Sequence, residues 1–248
     1  MPRLYFQLAF AIIIALAIIT ISPISVQTYS AFFLSQSPPK PPQTPPPPPP
    51  RDNGTRPGTG LDPTNPNCKK TSKSITALVP IKNPVYTTSE YPTFLFYIPY
   101  NPEDIKSVDF SLQTEDGKKR IYKAAVTLAK TPGIISVSLP KSPNYALELN
   151  KYYVWYLKLN CEPYTRSTTD LSVNGFVARV PLTSERQQQI NTATPDIWYD
   201  SVASLAQRLL ANPQDEKLKI QWIKLLESAE LRDIAEEPLV GAVQLSEK

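Results

Sequence analysis

The 248-residue sequence contains no histidine, two cysteines, one methionine and only seven glycines. Without histidine there can be no Ser-His-Asp or Cys-His nucleophile and no zinc site built on imidazole. Two thiols cannot supply the four ligands of a structural zinc or a cubane iron–sulfur site. The few glycines form neither a dinucleotide fingerprint nor a phosphate loop. The nearest approach, Gly58-Thr59-Gly60, sits in a proline-rich stretch with no strand before it. Most common cofactor and nucleophile chemistries are therefore excluded. No catalytic residue, no cofactor and no metal is expected.

Proline is what the chain has in excess, 28 in all, and it crowds between Gln36 and Pro66 with an unbroken run from Pro45 to Pro50. Such a segment cannot bury a core and favours an extended polyproline helix. Residues 31–66 are read as a disordered proline-rich linker, a spacer between the N-terminal segment and the folded region. Ahead of it, residues 1–30 open with Arg3 and run apolar from Leu8 to Ile21, with Thr20 as the polar interruption. As a helix that run spans about 21 Å, short of the roughly 30 Å hydrocarbon core of a bilayer. It describes a secretory signal peptide, or an uncleaved N-terminal membrane anchor if Leu4 to Phe6 and Ile24 lengthen it. Either reading exports the rest of the chain to the periplasm or cell envelope.

Residues 67–182 read as short strands separated by turn chemistry. Ile75–Val79, Thr93–Ile98, Ser107–Thr114, Arg120–Leu128, Ile134–Leu139, Lys151–Asn160 and Leu171–Val180 each carry β-formers between Pro, Gly, Asn or Asp punctuation. Ser107–Thr114 alternates with Val108, Phe110 and Leu112 on one side, and Asp116-Gly117 marks the tight turn after it. Leu147, then Asn150-Lys151, then Tyr153 entering a strand is similar to the tyrosine corner of immunoglobulin-like domains. In an exported chain the two cysteines, Cys68 and Cys161, are expected to form a disulfide across this region.

From Thr183 the periodicity becomes helical. Thr194-Pro195 is a helix start, followed by the stripe Trp198, Val202, Leu205, Leu209 and Leu210. Asn212-Pro213-Gln214-Asp215 ends that helix and begins another, whose stripe is Leu218, Trp222, Leu225, Leu226 and Ala229. The expected architecture is mainly β with C-terminal α. It is an immunoglobulin/fibronectin-like β-sandwich followed over residues 183–240 by a short helical hairpin resembling one tetratricopeptide unit. Residues 241–248 are read as a disordered tail. The sandwich segment is net basic and the helical segment net acidic, which favours docking of one on the other.

Together these residues resemble a known family. Thr76-Ala77-Leu78-Val79-Pro80 opens the pattern, followed by Ser89 to Phe94 and by Tyr97-Ile98-Pro99. Thr131-Pro132-Gly133-Ile134, Tyr153-Val154-Trp155, Cys161-Glu162-Pro163, Asn174-Gly175-Phe176-Val177 and Ile197-Trp198-Tyr199-Asp200 continue it. The ordered set is similar to the exported cyanobacterial family called domain of unknown function 928, over roughly Cys68 to Leu239. The resemblance implies an envelope location and brings no activity and no catalytic residues.

The remaining chemistry is sparse. The acid pairs Glu103-Asp104, Glu115-Asp116, Asp215-Glu216 and Glu236-Glu237 read as solvated turns or helix ends rather than glycosidase pairs. Ser-x-x-Lys occurs at Ser37 to Lys40 and Ser138 to Lys141, places without the buried lysine that a Ser-Lys mechanism requires. Thirteen tyrosines and three tryptophans mostly fall on core stripes. Tyr86, Tyr100, Tyr145 and Tyr164 sit near loops, and three of them clustered at one sheet end would favour sugar stacking. Tyr100, Tyr164 and Arg166 are the candidate partner contacts, the last through its planar fork of donors. The expected function is a non-catalytic envelope binding or scaffolding protein whose partner is an envelope protein or a glycan, not nucleic acid. A glycan-binding module is the alternative, with a carboxylate-dependent hydrolase behind it.

Overall fold

Alternating apolar side chains fold the middle of the chain into strands, and amphipathic runs fold its end into helices. The computed structural model describes residues 68–81, 85–161 and 171–248. In chain order the strands are β1 (Thr76–Ala77), β2 (Tyr86–Thr87), β3 (Thr93–Ile98), β4 (Ser107–Thr114), β5 (Arg120–Thr127), β6 (Gly133–Ser138), β7 (Tyr152–Asn160) and β8 (Leu171–Arg179). Helices α1 (Ser184–Thr192), α2 (Trp198–Ala211) and α3 (Glu216–Ser228) come next, and then β9 (Leu239–Ala242) and β10 (Gln244–Glu247). One sheet has the order β1-β3-β6-β9 and the other β10-β5-β4-β7-β8-β2. The pairings are antiparallel except β2 with β8 and β6 with β9, which are parallel.

The two sheets meet through aromatic rings. Phe94 and Phe96 of β3 lie 5.3 and 6.3 Å from Phe110 of β4, and 5.9 and 5.3 Å from Trp155 of β7, centroid to centroid. These tilted and edge-on contacts add to the burial of the rings themselves. Trp155 needs room on its own sheet, and the residue paired with it on β8 is Gly175. A Cβ there would stand 2.3 Å from the indole, so only glycine fits.

β3 is also buried on its opposite face, where Leu95 lies beneath α2. Trp198, Tyr199, Val202 and Leu205 of α2 and Leu218, Trp222, Leu225 and Leu226 of α3 are buried, and they share one continuous core with the sheets. The helical stripes thus find their apolar partner within the chain, and Leu210, expected on that stripe, is instead 42% exposed. The architecture is mainly β with C-terminal α, as expected, and α1 adds a helix to the expected hairpin.

Local details reflect sequence chemistry. Asp215 caps α3, accepting from the Lys217 and Leu218 amides at 2.9 and 3.2 Å. Thr194 stands at the N-cap with Pro195 after it, as expected, but the helix begins as a 3-10 turn, Pro195–Ile197, ahead of α2, and the Thr194 side chain makes no cap bond. The Glu148 amide donates to the Tyr153 hydroxyl at 3.0 Å across the corner below buried Leu147. Cys68 is bonded to Cys161, with Cα atoms 5.3 Å apart, which ties the entry of the folded region to the end of β7.

The tail is a correction. Residues 241–248 are strand for most of their length: β10 pairs with β5 from Gln244↔Thr127 to Glu247↔Ala124. The exposed edge of β5 supplies the hydrogen-bond partners that so short a segment lacks by itself. Among the described residues no helix is long and apolar enough to cross a membrane. The N-terminal segment over 1–30 and the linker over 31–66 lie outside the described residues.

Candidate functional site

Among the described residues, those proposed from sequence do not gather into one site. Tyr100 is a correction: it is 6% exposed and packed in the core, so it offers no surface to a partner. Burial raises its phenol above the usual range, against a hydrogen bond with Thr71. Tyr164 and Arg166 lie outside the described residues. The Tyr145 ring lies tilted against Tyr122, centroids 4.9 Å apart, and its hydroxyl donates to Glu247. Tyr86 on the edge strand β2 is hydrogen-bonded to Tyr152 of β7 across β8, and burial raises both phenols. Each described loop tyrosine therefore anchors its own neighbourhood, and among the described residues no three of them form a stacking platform.

The acid pairs are engaged structurally. Asp104 meets Asn101 and Lys69, and Asp116 accepts from the Thr114 hydroxyl and the Lys118 amide, which hold its carboxyl below the usual range. Glu236 pairs with Arg232 at 3.0 Å, and Glu237 pairs with Lys73. Burial and the Glu237 charge push Tyr97 up to about 12. Ser138 shares a 2.7 Å hydrogen bond with Thr93 across β3 and β6. Among the described residues no cluster of acids and cysteines is suited to a metal ion.

What sequence reasoning missed is a cleft built where β2 turns into β3 beneath α1 and α2. The turn is shaped by its own hydroxyls. The Ser89 amide donates to Thr87 Oγ1 at 3.1 Å, and the Tyr91 amide to Ser89 Oγ at 3.0 Å. It is also held from outside: the Leu147 amide donates to the Glu90 carbonyl at 2.9 Å, and Arg179 meets Glu90 at 3.0 Å. On the other wall α1 is polar apart from Ile190, with no buried residue, capped by Thr183 and ended by Ala193 in the left-handed conformation.

At the junction of these walls sits Asp200, in the first turn of α2. Its Oδ2 accepts from the Thr88 amide at 2.8 Å, and its Oδ1 lies 3.4 Å from the Thr88 hydroxyl. Burial raises its carboxyl above the usual range, against the opposing hydrogen bonds of Thr88 and Thr87. The cleft has a volume of about 290 Å³ and is lined by Thr88, Ser89, Tyr91, Gln187, Ser204 and Gln207 around Asp200, with Ile190 as an apolar wall. It combines hydroxyls, carboxamides, one carboxylate and two tyrosine rings, Tyr91 and Tyr199, and among the described residues no lysine or arginine lines it. Its chemistry is that of recognition by hydrogen bonds.

A second depression, about 390 Å³, runs between α2, α3 and β9 and is largely apolar, with Leu209, Leu210, Pro213 and Ile223 along it. Lys219, Glu236 and Glu237 stand at its edge. A third, about 310 Å³, is lined by other residues of α1, Glu185 and Arg186, with Tyr86 and Asp196. The only sequence signal for the Asp200 cleft was the run Ile197-Trp198-Tyr199-Asp200, in which an acid comes after core aromatics at a helix start. That signal does not say which loop the acid faces.

No curated protein and no solved structure matches the chain. One family model does, over residues 51–239, beginning ahead of the Cys68 boundary that the motifs suggested. That span covers most of the sequence, including the helices, all but the last strands and every wall of the Asp200 cleft. The chain belongs to the family described as Domain of Unknown Function (DUF928).

Proposed function

We propose that this protein is an exported, non-catalytic binding or scaffolding protein of the cell envelope. The observation that carries the reading is the state of Asp200. It is the one carboxylate among the described residues lining the cleft, and it orders the Thr88 turn through hydrogen bonds. A carboxylate-dependent hydrolase needs a second carboxyl group roughly 5–9.5 Å away across the scissile bond. The rest of this lining is hydroxyls, carboxamides and apolar groups, which bind but do not exchange protons near neutral pH. The apolar run Leu8 to Ile21 and the proline-rich segment after it support export and a spacer that holds the folded part away from a membrane.

The test is fractionation of cells producing the full chain, followed by capture of envelope components on the purified full-length protein. An envelope location and a saturable envelope partner are expected. A cytoplasmic location, or turnover of a glycan or peptide substrate by the purified protein, overturns the reading.

A further inference from the structure

We propose that the Asp200 cleft is a binding site for a neutral polyhydroxylated ligand, namely one sugar ring at the end of a glycan. The inference rests on the binding reading above and assigns it a place and a ligand class. Charge excludes the main competitors first. A phosphate, sulfate or carboxylate ligand calls for lysine, arginine or a cluster of backbone donors, and no lysine or arginine is among the described residues that line the cleft. An apolar ligand would cover the hydroxyls of Thr88, Ser89 and Ser204 and the carboxamides of Gln187 and Gln207 and replace none of the hydrogen bonds these groups make with water, which is costly.

A sugar answers both conditions. Each ring hydroxyl is donor and acceptor at once, and so are the side chains of Ser, Thr and Gln. Gln187 stands on α1 and Gln207 two turns along α2, and both lie on the cleft. They bring carboxamides from two walls, while the Thr88–Ser89 turn brings hydroxyls from the third. Tyr91 and Ile190 supply the apolar surface against which the C–H face of a ring rests. The volume, about 290 Å³, lies just below the usual range for small-molecule sites, roughly 300–1,000 Å³, and so suits one ring rather than a chain of them.

The cleft is also built before any ligand arrives. The Thr88 amide on Asp200, the two hydroxyl-stabilised turns at Ser89 and Tyr91, and the Glu90 contacts fix the loop from both sides. A wall fixed in advance loses little entropy on binding, which matters for a ligand whose hydrogen bonds only replace those it made with water. Asp200 acts here as a positioning residue through Thr88. The groups that touch the sugar are Ser204, Gln187, Gln207 and the turn hydroxyls.

The experiment titrates the purified full chain with glucose, galactose, mannose and N-acetylglucosamine, followed by saturation-transfer NMR and calorimetry. Ser204→Leu, which fills the cleft, and Gln187→Ala/Gln207→Ala, which strips its carboxamides from exposed positions, are the test variants. Circular dichroism establishes that both are folded. Saturable binding of at least one sugar by the native chain is expected, weakened by about tenfold or more in both variants. Binding that both variants retain overturns the site, as does the absence of saturable binding to every sugar. Capture of an envelope partner by the native chain and the variants alike, without sugar binding, leaves the scaffolding reading standing and removes only the sugar site.

Discussion

The indole of Trp155 donates a 2.8 Å hydrogen bond to the hydroxyl of Tyr199, and that hydroxyl donates in turn to the carbonyl of Phe176 at 2.7 Å. A tryptophan at the centre of the larger sheet is thereby linked to the first turn of α2, and both side chains are fully buried. The Tyr199 ring also stands edge-on to Phe94 of the smaller sheet, at 5.2 Å. One side chain thus ties both sheets and the helical layer together. Burial pushes its phenol well above the usual range, so it serves as donor and acceptor at all ordinary pH.

Tyr199→Phe keeps the ring and removes the relay. The Trp155 N–H and the Phe176 carbonyl would both be left buried and unpaired, at a cost of about 2–4 kcal/mol in all. Urea denaturation of the native chain and the variant measures it. A loss near zero would mean that neither group depends on the hydroxyl.

Gly175→Ala tests the close approach below Trp155. A methyl group 2.3 Å from the indole forces either the ring or β8 to move, with an expected cost of about 1–3 kcal/mol or more. The near-ultraviolet dichroism of the tryptophans should change with it. Gly117→Ala, at a turn where the added carbon meets only the end of Gln113, serves as the control for backbone strain, since its φ is +71°.

The disulfide closes a separation of 93 residues between Cys68 and Cys161. Replacing either cysteine is expected to lower stability by roughly 4–5 kcal/mol in the chain-entropy account. Thiol labelling of the denatured, unreduced protein should find neither cysteine reactive, and two reactive thiols would contradict the bond.

Asp200 gives a pH dependence of definite sign. Its carboxyl is raised in the folded state, so folding favours the protonated form. That contribution is complete below the ordinary carboxylate range and is lost as pH rises through the folded value. At neutral pH the ionised group therefore weighs against folding. Asp200→Asn keeps a carbonyl acceptor for the Thr88 amide and removes the charge. Its stability relative to the native chain should rise between about pH 3 and pH 7, read from unfolding midpoints across that range. A difference that falls with rising pH would reverse the assignment.

Ser201→Ala should raise stability by about 1 kcal/mol, because the Ser201 hydroxyl is fully buried and has no hydrogen-bond partner among the described residues. Thermal unfolding of the variant checks the direction.

Local signals in the sequence were enough for the strands from Thr93 to Arg179, for the disulfide pair and for the two amphipathic helices. Alternation marks β4, β-formers between prolines mark β3, and an Asp215 cap in front of an apolar stripe marks α3. Other features exist only through long-range packing. β2 is two residues long and β10 four, too short for a pattern, and each exists because an open sheet edge, on β8 and β5, supplies its hydrogen bonds. Tyr100 reads as a loop residue by its position between Pro99 and Pro102, yet the fold buries it. Gln187, Ser204 and Gln207 are ordinary surface residues in sequence and come to line one cleft only where α1 and α2 stand over the Thr88 turn. A cleft joins residues more than a hundred positions apart, and periodicity over a few turns of chain carries no information at that distance.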